Sequence, residues 1–116
     1  MADKKRKHSK ENELPFEDVV GIDSIIHSPP RLAIMMFLLP RLKATYTSIQ
    51  KVLKFTSGNL TAHLNKLEKS KMIVIQKGFV KAQPTTIIHL TDFGKERLRE
   101  YAELLVNILE QMLKEE

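Results

Sequence analysis

Leu60, Leu64 and Leu67 recur at the spacing that lines one side of an α-helix, and this stripe constrains the chain more than any other feature. Thr56, just ahead of it, can cap a helix because its side-chain oxygen can accept a backbone N–H two or three residues on, so a helix is expected from Ser57 to Lys69. At about 100° per residue the opposite side carries Gly58, Thr61, Ala62, Asn65 and Lys69, with Lys66 on its flank. A face meant only for water is usually filled with long charged helix formers. Glycine and threonine there cost helix propensity and bring no core packing. The low profile of this face points to something that approaches it closely.

The segments on either side extend the pattern. In "TYTSIQKVLKF" Thr47 is expected to cap a two-turn helix with Ile49, Val52, Leu53 and Phe55 turned inward. Two short helices so tightly connected form a helix-turn-helix candidate, whose second helix can enter a major groove. The stretch "MIVIQKGFVKAQPTTIIHLT" then supplies two β-branched apolar runs, Met72 to Ile75 and Thr86 to Leu90, separated by Gly78, Lys81, Gln83 and Pro84. It is read as a β-hairpin with a long, basic, flexible tip. One reading makes it a wing that lays Lys77 and Lys81 along a phosphate backbone, with Gln83 as a minor-groove contact; the other makes it a solvated hairpin.

A chain of 116 residues with 42% hydrophobic content suits one compact domain with a small core. It contains no cysteine, so neither a disulfide framework nor a thiolate metal site is available and the core must be held by packing. The longest apolar stretch, Leu32 to Leu39, falls far short of the roughly 20 residues that span a bilayer. An acidic stretch from Glu11 to Asp18 separates it from the basic start, which is unlike a signal peptide, and a soluble intracellular protein is expected. Net charge is +5, but the residues from Asp92 to Glu116 carry seven acids and four bases, leaving +8 on the rest. Between Arg41 and Leu90 nine Lys or Arg face one acid, Glu68. That imbalance suits a polyanionic partner, although a lysine-rich solvated surface accounts for it equally well.

The opening residues, 1–13, have hardly any apolar side chains and are expected to form a disordered basic tail. Phe16 to Ile26 suggest a short or broken helix. In "SPPRLAIMMFLLP", Ser28 can cap, Pro29 and Pro30 fit a first turn, and Pro40 is expected to stop a helix apolar on nearly all sides. Met35 and Met36 are read there as core filler.

The last segment begins with Thr91 as a cap and Asp92 near the positive helix end. Leu98, Tyr101, Leu105, Ile108 and Met112 follow at spacings close to a heptad seam, widened by Ala102, Leu104, Leu109 and Leu113. A dimer helix over 92–116 is expected; docking onto the helix from Pro30 would use only part of the stripe.

The order of these elements, with "GNLTAHLNKLEKSKMI", "KGFVKAQPTTIIHLTDFGKERL" and "SPPRLAIMMFLLP", resembles the winged-helix transcriptional regulators of the ArsR and MarR types, particularly small archaeal members. The resemblance covers about Ile22 to Leu113. It implies that the helix from Ser57 reads a major groove, that the hairpin is a wing and that terminal helices build a homodimer. It further implies that Ser57, Asn59, Thr61, Asn65 and Lys66 contact DNA. The chain departs from the metal-sensing branch, because cysteine is absent and His8, His27, His63 and His89 are scattered. Physically, Gly58 and Ala62 keep the outer face low and Asn65 has the amide geometry for adenine. His63, beside the leucine stripe, is read as a core or boundary residue, and His27 and His89 as structural.

No phosphate-binding glycine loop, helical histidine pair or nucleophile with an adjacent base stands out, so neither an enzyme nor a cofactor or metal is expected. The expected fold is mainly α with a β-hairpin, a winged helix-turn-helix over 14–116. The expected function is sequence-specific binding of double-stranded DNA, at an inverted repeat, by a cytoplasmic, nucleoid-associated homodimer that touches no membrane. The rival is a winged helix that binds an acidic protein partner within the transcription machinery.

Overall fold

Thr91 joins the last strand to the last helix, and its contacts show how the sequence turns local signals into a fold. A computed structural model of the chain describes residues 14–115. The expected basic tail, with His8, lies outside the described residues. In chain order the elements are α1 (Phe16–Val20), α2 (Pro29–Arg41), β1 (Lys43–Thr45), α3 (Tyr46–Leu53), α4 (Ser57–Lys69), β2 (Ile73–Val80), β3 (Gln83–Leu90) and α5 (Asp92–Lys114). Contacts group them into two units. One spans Asp23–Arg99; the other combines the residues up to Ile22 with those from Glu100 onward.

The larger unit is an α+β winged helix. Its antiparallel sheet has the order β1-β3-β2, so the short strand β1, which the sequence did not announce, makes β3 central. Ala44 pairs with Ile88 on one side of β3, and Ile75 with the same Ile88 on the other. With Ile88, the core of this unit comprises Ile26, Ile34, Met35, Leu38, Ile49, Leu60, Leu64, Leu67, Met72, Ile73 and Leu98, all 5% exposed or less. The leucine stripe therefore does what its spacing predicts.

Helix ends are set by polar groups and by positive φ. Thr56 Oγ1 accepts from Asn59 N–H at 3.2 Å, as expected. The cap of α3 is Thr45 and not Thr47: its hydroxyl accepts from Ser48 N–H at 3.0 Å, and the helix begins two residues earlier than the sequence suggested. With that start Val52 turns outward, 56% exposed, while Ile49 is buried and Leu53 and Phe55 are half-buried. Ser28 occupies the N-cap position of α2 without a side-chain cap bond. Pro30 at the second helical position has no N–H to offer it.

Pro40 does not stop α2 where it stands; the helix runs on to Arg41 and closes on left-handed Leu42, φ 68°, whose N–H donates to the Leu38 carbonyl. The face of α2 bearing Ile34, Met35 and Leu38 is buried and the other is not. Met36, 59% exposed, is thus not core filler. α4 ends in a Schellman arrangement, with Lys71 N–H on the Glu68 carbonyl, Met72 N–H on the Leu67 carbonyl and Lys71 at φ 66°. None of the four glycines has positive φ; Leu42, Lys54, Lys71, Lys81 and Ala82 do.

The hairpin differs from its expected form. β2 and β3 pair continuously from Ile73↔Leu90 to Val80↔Gln83, leaving only Lys81 and Ala82 to turn, at φ 53° and 65°. This is a tight two-residue connection rather than a long flexible tip. Two positive φ values match the right-handed strand twist, which outweighs the poor fit of non-glycine residues to that region. Pro84 lies beyond the part of β3 that β1 covers, so its missing N–H breaks no central ladder.

At the exit of β3, Thr91 N–H donates to the Met72 carbonyl at 3.0 Å, and the Thr91 hydroxyl lies 2.8 Å from the Lys71 carbonyl and 3.0 Å from that of Met72. The same oxygen accepts from Gly94 N–H at 2.9 Å, so Thr91 caps α5 as expected while fastening it to the end of α4. Gly94 is there because the backbones touch: a Cβ would stand 2.2 Å from the Met72 oxygen. Nearby, Asp23 accepts from the N–H groups of Ile25 and Ile26 and pairs with Arg97 at 2.5 Å.

His63 takes the boundary position expected of it. Arg31, whose Nε donates to the Ile25 carbonyl at 2.6 Å, brings its guanidinium 3.2 Å from His63 Nδ1, and the Phe55 ring lies against the imidazole at 5.9 Å between centroids. Arginine can only donate, so this contact requires an unprotonated Nδ1. Burial, and then the charges of Arg31 and Lys66, hold the His63 pKa below its ordinary value.

Gly94→Ala should destabilise the protein by about 1–3 kcal/mol in urea unfolding, because two backbones must separate. Gly58→Ala, which meets nothing within 4 Å, should not destabilise it. Unfolded chains bind a proton at the ordinary histidine pKa, 6.5, before the folded His63 does. Its contribution to stability is therefore complete above that pH and is lost as pH falls through it towards the lower folded pKa. Urea midpoints measured from about pH 7.5 to about pH 5 should fall more steeply for the wild type than for His63→Gln; parallel curves would refute the assignment.

Candidate nucleic-acid interface

The face of α4 opposite the leucines is open from end to end. Ser57, Gly58, Asn59, Thr61, Ala62, Asn65, Lys66 and Lys69 are all exposed, while Leu60, Leu64 and Leu67 are at most 2% exposed. Gly58 has empty space where a Cβ would stand, so the fold itself does not ask for glycine there.

This face is held firmly by residues the sequence did not single out. The Tyr46 hydroxyl donates to the Ser57 carbonyl at 2.9 Å and lies 2.9 Å from Thr61 Oγ1. Gln50 Nε2 donates to Ser57 Oγ at 3.2 Å. The start of α3 thereby fixes the first turn of α4, and the hydroxyls of Ser57 and Thr61 are committed in part to that task. Partners eleven and fifteen residues apart leave no periodic mark, and only folding brings them together.

Glu68, the one acid between Arg41 and Leu90, has a structural employment. Its carboxylate accepts from Ile75 N–H at 3.1 Å. Ile75 lies on the outer edge strand of the sheet, so the bond satisfies an edge donor and ties α4 to the base of the hairpin. Between them runs a groove of about 510 Å³ lined by Tyr46, Thr61 and Asn65 on one side and Lys77 and Thr86 on the other, with Glu68 in its wall. Lys77, Lys81 and Gln83 are exposed along the hairpin. The face thus combines lysines, amides and a low helical ridge.

In α5 the expected seam divides. Leu98, Tyr101 and Ile108 are buried within the single chain at 3–6% exposure, Leu105 is half-buried, and Met112 is 52% exposed. Among the large apolar side chains left open are Phe93 at the start of α5, Val106, Leu109, Met112 and Leu113 towards its end, and Phe16, Val19 and Val20 of α1. Among the described residues no helix is long and apolar enough to cross a membrane, and no three His, Asp or Glu side chains gather as a metal site would need.

Comparison with known proteins agrees with this geometry. Residues 31–109 match the model of a winged helix DNA-binding domain. A transcriptional regulator homologue from Pyrococcus horikoshii OT3 is 37% identical, with a TM-score of 0.78 over 83% of this chain and 97% of that one. A PadR family transcriptional regulator from Eggerthella lenta shares the fold at 20% identity and a TM-score of 0.58, over 85% of this chain and 93% of its own. A MepR-like protein does so at 19% identity and 0.63, over 85% of this chain and 65% of its own. No curated protein matches the chain. With an open low helix, a basic hairpin beside it and these likenesses together, the chain belongs to the winged-helix DNA-binding family, among the small transcriptional regulators of archaeal type.

Proposed function

We propose that the protein is a sequence-specific regulator that binds double-stranded DNA as a homodimer, with α4 in the major groove and the hairpin along the phosphate backbone. The observation that carries this reading is the exposure of Ser57, Gly58, Asn59, Thr61, Ala62, Asn65, Lys66 and Lys69 on α4 while its leucines are sealed in the core. Asn65 lines the groove and is exposed, and its planar amide can bond both the N6 and N7 positions of adenine. Ser57, Asn59, Thr61, Lys66 and Lys69 flank it, and Gly58 and Ala62 let the backbone approach. Lys77 and Lys81 supply phosphate contacts and Gln83 a minor-groove contact. The rival, an acidic protein partner, has less support: it calls for charge but gives no reason for the low amide-bearing ridge.

We place the dimer surface on the part of α5 that the single chain leaves uncovered. Met112 stays in the proposed seam and is joined by Val106, Leu109 and Leu113, whose exposure of 46–71% is high for neighbouring apolar side chains on one helix. Leu98, Tyr101 and Ile108 support that surface from beneath, and Leu105 borders it. A two-fold dimer presents two copies of α4 to successive major grooves about 34–36 Å apart and so favours an inverted repeat, in the cytoplasm on the nucleoid. The work is binding and requires no cofactor.

Asn65→Ala should weaken binding to a site recovered from a random-sequence duplex pool by about 1–3 kcal/mol and leave affinity for unrelated DNA nearly unchanged, as titrations of both duplexes would show. Equal losses on the two would remove Asn65 as a base reader. Val106→Glu combined with Leu109→Glu should yield a folded monomer with much weaker binding to the inverted repeat, because charge in an apolar seam opposes association. Sedimentation with circular dichroism reads both properties. A monomeric wild type, or a double variant that stays dimeric, would refute the dimer surface.

A further inference from the structure

The face of the hairpin that turns inward to the core does not end where the core ends. Alternation puts Ile73, Ile75, Lys77 and Phe79 on one side of β2, opposite Leu90, Ile88, Thr86 and Pro84 of β3. The first two pairs pack into or against the core, and Lys77 with Thr86 lines the groove beside Asn65. The fourth pair, Phe79 with Pro84, continues the same face beyond the protein. Phe79 is 75% exposed, and Lys77 and Lys81 stand on either side of it in sequence. An aromatic ring held in water on a basic hairpin costs solubility and contributes nothing to the fold.

Resting on the DNA-binding reading above, we propose that Phe79, backed by Pro84, is an apolar wedge that enters the minor groove beside the recognition helix and partly unstacks one base step. Three observations support it. Phe79 lies two residues past Lys77, about 7 Å further from the helix, so a lysine at the phosphate rail places the ring over the adjoining groove. The lysines on both sides suit a polyanionic neighbour, which in the reading above is the phosphate backbone. The ladder also stays in register to Val80↔Gln83 and closes in a two-residue turn, so the ring stands on a stiff support able to transmit force to a stacked duplex. Apolar side chains that unstack a step kink DNA and prefer pyrimidine–purine steps, where stacking is weakest. The wedge would then add specificity at a position read by deformability, outside the bases that α4 touches.

The test uses the full chain and the duplex recovered from a random-sequence pool, with 2-aminopurine placed in turn at each flanking step. Saturating wild-type protein should raise fluorescence several-fold at one step on each side. Phe79→Ala should abolish the rise, bind about tenfold more weakly and keep its circular dichroism. Replacing that step by a stiff G·C step should weaken the wild type and leave Phe79→Ala unaffected. Tight binding by the wild type with no fluorescence change, or a rise that persists in Phe79→Ala, would overturn the wedge and leave the DNA-binding reading standing. Failure of the wild type to select any duplex would instead overturn that reading, and the wedge with it.

Discussion

One carbonyl oxygen, that of Met72, sits where three elements must meet. It receives Thr91 N–H, lies within reach of the Thr91 hydroxyl, and leaves room for the first turn of α5 only because residue 94 lacks a side chain. Met72 follows the left-handed residue that ends α4 and precedes the first residue of β2. The end of α4, the start of the hairpin and the start of the last helix are thus tied within a few ångströms. Each neighbour satisfies polar groups that its helix or strand would otherwise leave bare. Disturbing this corner would tilt α4 and the hairpin against each other, the relation that the proposed mode of DNA binding uses.

Two further bonds give the proposed recognition surface a fixed shape. Tyr46 holds the beginning of α4 and Glu68 holds its end against the edge of the sheet. A base-reading helix gains from such support, because a side chain that must match donors and acceptors in a groove loses discrimination when its backbone can shift. The placement of Glu68 also resolves an apparent contradiction in the charge pattern. An isolated acid amid nine bases would oppose a polyanion, yet its carboxylate is turned to a backbone N–H and acts as a brace.

The chain reaches tight turns without using its glycines for them. Leu42, Lys54 and Lys71 end helices in the left-handed region, and Lys81 and Ala82 make the hairpin turn. Three of these five are lysines, two of them at helix ends, where a cation favours the negative pole of the backbone dipole. Gly58 and Gly94 serve other ends: one leaves the outer face of α4 low and the other admits a neighbouring backbone. This choice hid the turn from a reading based on glycine and proline, which assigned a long loop to what is a two-residue connection.

What could be read from the chain alone was periodic or local. The leucine stripe of α4, its open opposite face, the caps at Thr56 and Thr91 and the two strands of the hairpin all depend on neighbours within a turn or two. The side chains at fixed spacing therefore disclosed them. The start of α3, the outward turn of Val52 and Met36, the added strand β1 and the division of the α5 stripe into buried and open halves were decided by folding, since each depends on which surface happens to lie opposite. The same holds for Tyr46, Glu68 and Arg31, whose partners lie between six and thirty-two residues away and carry no sequence mark. Local spacing determined which faces exist; tertiary packing decided which of them are covered, because burial is a property of pairs of surfaces and no single segment contains both.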